Sequence, residues 1–127
     1  MKVSQAMTRK VCVAFPQQSI RDAAQAMAEF DIGALPVCRS YRLIGVITTH
    51  DLALRGLAAG RSPDTPVVEV MTREVRYCFE DEDIEKVVEE MKALGLRRLP
   101  VLDRGKRLVG ILSLPDAAAP HRPSERP

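Results

Sequence analysis

The chain contains no Trp and only two Tyr and three Phe, so it lacks the aromatic platform on which single-stranded nucleic acid stacks. Neither sign of charge dominates. Nineteen Lys and Arg against 17 Asp and Glu leave a formal net charge of +2, and the two signs are interleaved, so no face is built to follow a phosphate backbone. Three Cys, no two of them close together, make neither a zinc knuckle nor a CxxC redox pair, and no metal site is expected. Apolar runs are short and broken by charge, below the roughly 20 residues a membrane-spanning helix requires. No charged-then-apolar leader opens the chain. The expectation is a cytoplasmic protein that engages neither nucleic acid nor membrane. No nucleophile–base constellation stands out, which speaks against an enzyme. What is present is enough apolar material, 46% of 127 residues, for an ordinary globular core.

That material is arranged twice. Met7-Thr8 returns as Met71-Thr72, Ile20 as Ile84, Met27 as Met91 and Leu35-Pro36-Val37 as Leu99-Pro100-Val101, all at one constant interval. Gly45 returns as Gly110 and Asp51 as Asp116 at an interval longer by a single residue, placing the insertion in the turn between. Two copies of a unit too small to hold a core alone are expected to pack on each other, with a ligand groove between them. The repeats span 1–60 and 67–119, separated by a Pro-containing polar linker at 61–66 and followed by a Pro-rich tail, 120–127, expected to be disordered.

Within each repeat the fold class is α/β, read as a β-α-β-β-α order. Val11 to Phe15 alternates as a strand and Pro16 ends it. Ser19 suits a helix cap, with Asp22 three residues on. Ile20, Ala23, Ala24, Met27 and Phe30 then define the core-facing stripe, and Gly33 suits a left-handed end. Leu35 to Cys38 and Leu43 to Thr48 read as antiparallel strands, followed by a helix from Thr49 to Ala59 that Gly60 closes. The second copy repeats this with strands at 75–79, 98–102 and 108–113 and a helix at 83–94. A weaker last helix begins at Pro115 and stops at Pro120.

The run Gly45-Val46-Ile47-Thr48-Thr49-His50-Asp51, following a Leu-Pro-Val strand, and its copy Gly110-Ile111-Leu112-Ser113-Leu114-Pro115-Asp116 resemble the cystathionine-β-synthase (CBS) domain. The chain is similar to a stand-alone CBS pair, or Bateman module. Asp31 to Pro36 and Gly56 to Gly60 look most like the short actinobacterial hypoxic-response type. The resemblance implies two repeats packed through their sheets with pseudo-two-fold symmetry, a homodimer of such pairs, and clefts for adenosine-containing small molecules such as AMP, ATP or S-adenosylmethionine. It implies no obligatory cofactor, and a regulated partner protein that the sequence does not name.

The spacing Gly-x-x-Thr/Ser-x-x-Asp has a chemical rationale. At a strand-to-helix junction the hydroxyl and the carboxylate can point into one opening, where the carboxylate can accept hydrogen bonds from ribose hydroxyls and the Thr or Ser can bond sugar or phosphate. The plainer reading is that these residues cap their own helices. Two copies in matched context favour the ligand. By the resemblance, residues before the Leu-Pro-Val strand of one repeat reach the phosphates of the nucleotide held by the other. A first site would then combine Thr48 and Asp51 with Arg97, Arg98 and the main chain of Lys10-Val11. A second, weaker one would combine Ser113 and Asp116 with Gly33, Ala34 and Val75, and Glu74 beside it would repel phosphate. Phosphate-bearing ligands are thus expected to favour the first site. Arg97 and Arg98 can equally be a solvated edge paired with acidic neighbours. His50 beside Asp51 has no nucleophile with it and reads as a rim or surface residue.

Cys12 and Cys38 fall on strands that would be parallel neighbours, so a disulfide is compatible with the fold, as are two buried thiols. Cys78 reads as core. A scaffold that binds no nucleotide, and a thiol- or metal-responsive protein, are the competing functional classes.

Overall fold

The computed structural model describes residues 1–114. Asp116, the helix expected from Pro115 and the tail 120–127 lie outside the described residues. Two compact units are present. One is continuous, Cys12–Val75, and the other joins Met1–Val11 to the chain from Arg76 onward. The units are offset from the sequence repeats, because the segment leading into each repeat belongs to the unit built mainly from the other.

In the continuous unit, the strand expected over 11–15 shrinks to a single parallel bridge. Ala14 donates to Pro36 O at 2.9 Å and accepts from Cys38 N at 3.0 Å. The cause is local. Gln18 turns the chain immediately afterward, its side-chain oxygen accepting from Phe15 N and its own N–H donating to Phe15 O, each at 3.0 Å. Helix α1 (Ile20–Phe30) starts as expected, with Ser19 Oγ accepting from Asp22 N at 3.0 Å. Its buried stripe is narrower than the sequence suggests. Ile20, Ala23 and Met27 are covered, whereas Ala24 and Phe30 are exposed, since they lie on the flanks of a stripe only two or three side chains wide. The helix ends on Asp31, not Gly33. Asp31 takes the left-handed conformation at φ 54° and ψ 50°, which a short polar side chain tolerates better than most.

Strand β1 (Ala34–Arg39) pairs antiparallel with β2 (Arg42–Thr48), with Val37 opposite Gly45 and Ala34 opposite Thr48. The two-residue connection places both Ser40 and Tyr41 at positive φ, the turn geometry that matches strand twist. Helix α2 (Thr49–Asp51) continues into Leu52–Leu57, where the bonding widens to i→i+5, as in Ala58 N to Ala53 O at 2.8 Å. Gly60, at φ 75°, closes the segment. The linker is pinned down: Thr65 O and Pro63 O accept from Ile20 N and Arg21 N at 2.9 and 3.1 Å, satisfying first-turn amides of α1 that have no intrahelical partner.

Val67, Val70 and Met71 then complete the core with Ala14, Ile20, Ala23, Met27, Leu35, Val37 and Ile47. Thr72 exchanges backbone hydrogen bonds with Val46 at 2.8 and 2.9 Å along the free side of β2. The close approach explains Gly45. A Cβ there would stand 2.7 Å from Met71 Sδ and 2.8 Å from Thr72 O.

The other unit repeats the construction. Helix α3 (Ile84–Leu94) is capped by Asp83 and ends on Gly95 at φ 70°. Ile84 N donates to Met1 O at 2.9 Å. Strand β3 covers only Cys78–Phe79 of the 75–79 stretch and runs parallel to β4 (Arg98–Leu102), which is antiparallel to β5 (Leu108–Ser113). Thr8 exchanges backbone bonds with Ile111 at 2.8 and 2.9 Å, and a Cβ on Gly110 would stand 2.7 Å from Met7 Sδ. Val3, Cys78, Ile84, Val87, Met91, Leu99, Val101 and Leu112 form the core. Two small sheets with helices thus give a mixed α+β fold. No helix among the described residues is long and apolar enough to cross a membrane.

Candidate functional site

The junction from β2 into α2 brings Thr48 and Asp51 together. Thr48 Oγ1 accepts from Asp51 N at 3.0 Å, and Asp51 Oδ2 accepts from Thr48 N at 3.1 Å. This reciprocal box satisfies two amides at the helix start, so the capping reading of the pair is realised in the geometry. Asp51 is nevertheless only 2% exposed, far more covered than a cap requires. A third residue explains its burial: the Thr72 hydroxyl lies 3.0 and 3.1 Å from the two carboxylate oxygens and donates its one proton to them. Arg55 Nε stands 3.9 Å from Asp51 Oδ1. A carboxylate offers about four acceptor positions, and with these neighbours it makes a polar cluster of one anion, two hydroxyls and one cation.

Thr72 was visible in the sequence only as half of a repeated Met-Thr pair. Its contact with Asp51 depends on the 67–74 segment folding back along β2, which no local spacing announces. Arg55 carried a fainter signal, its position four residues after Asp51 on a helix.

Gly33 and Ala34 lie beside this junction, Gly33 O accepting from Thr49 N at 3.0 Å and Ala34 pairing with Thr48. Val75, half-buried, ends the same unit and Glu74 before it is exposed. Lys10, Val11, Arg97, Arg98 and Ser113 belong to the other unit. There Arg98 is the cross-strand partner of Ser113, and Arg97 O accepts from Leu114 N at 2.9 Å. Both arginines and Lys10 are exposed. In each sheet the residues before the Leu-Pro-Val strand therefore border the hydroxyl of their own repeat. His50 is exposed, as expected.

The conceivable Cys12–Cys38 bridge is absent, and both are free thiols. The register accounts for this: Ala14 faces Val37, which leaves Cys12 and Cys38 displaced to opposite sides of that pair along the strands. Burial pushes the Cys38 thiol up. Cys78 is pushed up to about 12 by burial first and then by the negative charges of Glu82 and Glu90. Such thiols stay protonated and unreactive near neutrality.

Beside Asp51 lies an open groove of about 580 Å³, bordered by Arg55, Arg61, Arg73, Thr72, Glu69 and Glu74. Arg61 pairs with Glu69 at 2.7 Å. Arg55 and Arg73 each reach one carbonyl, Met71 O and Val68 O, at 3.4 Å.

Known proteins share this architecture. The chain is 39% identical to the CBS domain-containing protein YhcV of Bacillus subtilis over 91% of its own length and 82% of that protein. It is 38% identical to Hypoxic response protein 1 of Mycobacterium tuberculosis over 80% of its length and 71% of that protein. The crystal structure of Hypoxic Response Protein I with two coordinated zinc ions superposes with a TM-score of 0.82 at 34% identity, covering 97% of this chain and all of that one. Among the described residues here, no group of three or more His, Cys, Asp or Glu side chains is placed to hold a metal. The CBS pair of MJ0100 in complex with 5'-methylthioadenosine and S-adenosyl-L-methionine gives a TM-score of 0.75 at 29% identity, covering 93% of each chain. CBSX2 in complex with AMP gives 0.81 at 25%, covering 98% of each. With the CBS domain model matching residues 3–56 and 67–119, the chain belongs to the CBS domain family and carries two copies of the domain.

Proposed function

We propose that this chain is a regulatory, non-catalytic sensor of adenosine-containing small molecules, with AMP, ATP and S-adenosylmethionine as the ligand classes to test and the cytoplasm as its compartment. The observation that carries the reading is the buried Asp51 carboxylate, held between the Thr48 backbone N–H and the Thr72 hydroxyl at a strand-to-helix junction. Solved relatives of the same fold hold AMP in one case and 5'-methylthioadenosine with S-adenosyl-L-methionine in another. Adenosine is common to all three. A ribose meets Asp51 by taking over acceptor positions now used by Thr72, so binding exchanges one hydrogen-bonded state for another and leaves no buried charge unpaired.

On this reading Ser113 and Asp116 form the equivalent pair in the second repeat, and the main chain at Lys10-Val11 and Glu74-Val75 contacts adenine. Arg97 and Arg98 are candidate phosphate contacts. The chain is also proposed to act as a homodimer. Phe30, Leu54 and Leu57 are exposed apolar side chains of the continuous unit, which a second copy would cover.

Titration calorimetry of the full chain with AMP, ATP and S-adenosylmethionine tests the function. At least one ligand is expected to bind, and Asp51→Ala to weaken it about tenfold or more, the scale of a hydrogen bond to a charged group. Asp51→Asn, which keeps the shape of the cap, is expected to weaken binding while the fold persists. If no ligand gives heat with wild type, the scaffold reading stands instead.

A further inference from the structure

We propose that the groove beside Asp51 receives the phosphate chain of a nucleoside di- or triphosphate, with Arg55 and Arg73 as the guanidiniums that hold it. This rests on the reading that a nucleoside is bound at Thr48 and Asp51. The two places are continuous: Thr72 borders the groove and hydrogen-bonds both oxygens of Asp51, and Arg55 lies 3.9 Å from Asp51 while also bordering the groove. A phosphate chain leaving a ribose held there has one side chain to pass before it meets cations.

The donors are available. A guanidinium carries five N–H groups, and Arg55 and Arg73 spend little of that capacity on carbonyls 3.4 Å away. Arg61, locked to Glu69 at 2.7 Å, neutralises that carboxylate and is not counted. Glu74 remains as the opposing charge in the groove. The volume of about 580 Å³ falls in the range of small-molecule sites. The backbone carrying Arg55 is held by its i→i+5 winding and by Gly56, whose missing side chain admits Ile20 Cδ1 at 3.2 Å from the Cβ position; local π-winding of this kind is frequent at functional sites.

The second repeat has no equivalent pair. Arg73 follows Met71-Thr72 as Arg9 follows Met7-Thr8, but the residue four places after Asp116 is Pro120, where Arg55 stands after Asp51. The preference of phosphate-bearing ligands for the Thr48–Asp51 junction, expected above from Arg97 and Arg98, thereby gains two arginines of the junction's own unit.

Calorimetry in magnesium-free buffer with adenosine, AMP, ATP and inorganic tripolyphosphate tests the assignment. Wild type is expected to bind ATP more tightly than adenosine, with an advantage that shrinks as salt rises. Arg73→Gln is expected to cost ATP about tenfold and adenosine less than about twofold. Glu74→Gln, which removes the opposing charge from the groove, is expected to tighten ATP. Arg55→Gln adds a second probe of the same groove. ATP affinity indifferent to Arg55→Gln and Arg73→Gln, with adenosine still bound and still dependent on Asp51, overturns this proposal and leaves the sensor reading intact. Binding of neither adenosine nor any nucleotide overturns both. Tripolyphosphate bound through the same arginines without any adenosine binding overturns the nucleotide assignment.

Discussion

Single residues carry the differences between two copies of one design. Asp31 and Gly95 occupy equivalent left-handed positions at the ends of α1 and α3. Glycine takes that conformation without strain and aspartate does not. Asp31→Gly is therefore expected to stabilise the protein by about 0.5–1 kcal/mol, read as a shift in the urea midpoint at unchanged slope. Cys78 differs from its counterpart Ala14 in carrying a titratable group into the core. Its folded pKa of about 12 lies above the ordinary thiol value of 9.0. The unfolded chain releases the proton first, so the contribution is complete below about pH 9 and declines as pH rises toward 12, by up to about 1.4 kcal/mol per unit. The difference between wild type and Cys78→Ala isolates the thiol: the variant is expected to lose less stability between pH 9 and 11, and equal losses would show that Cys78 does not ionise on unfolding.

At the level of elements, the parts governed by local periodicity were legible and the parts governed by folding back were not. Helices α1 and α3 and the β1–β2 and β4–β5 hairpins lie where their apolar spacing and turns put them. The first strands nearly vanish, because Val11 to Phe15 has strand character but bridges to β1 at Ala14 alone before Gln18 turns the chain. The site divides in the same way. Thr48 and Asp51 follow from a motif of fixed spacing and Arg55 from its place four residues on, whereas Thr72 meets Asp51, and Arg73 the groove beside it, through the return of 67–74 along β2. Gly45, the glycine of that motif, makes room for the chain itself, its side-chain space being taken by Met71 and Thr72. Gly45→Ala must push the Thr72 backbone away and is expected to cost about 1–3 kcal/mol, the scale of an overpacked core. Because that segment carries the hydroxyl bonded to Asp51, the same variant is expected to weaken adenosyl binding. Full affinity in a destabilised Gly45→Ala protein would show that Thr72 does not shape the site.

For the molecule as a whole, the exchange of lead-in segments decides where the chain can be divided. The sequence places its boundary in the Pro-containing stretch 61–66, and the usual expectation is that a domain border falls in such a linker. The compact unit instead runs to Val75. Cutting at residue 66 would strip it of Val67, Val70 and Met71, all at most 3% exposed, and of the Thr72 backbone bonds to Val46. The loss of three buried side chains, each worth about 1.5–3 kcal/mol, rivals the whole stability of a domain this size. A fragment of residues 12–66 is therefore expected to be unfolded, while 12–75 retains its complete core. The proton spectra of the two peptides separate the outcomes: dispersed amides are expected for 12–75 and collapsed ones for 12–66. Equal dispersion in both would mean that 67–75 is an ornament on a unit already complete. Loss of Thr72 with the segment would also uncover Asp51, so the residues that close the fold of the continuous unit are the same ones that bury its binding carboxylate. Folding and the burial of Asp51 are thus coupled through one short segment, and a cut at residue 66 is expected to lose both together.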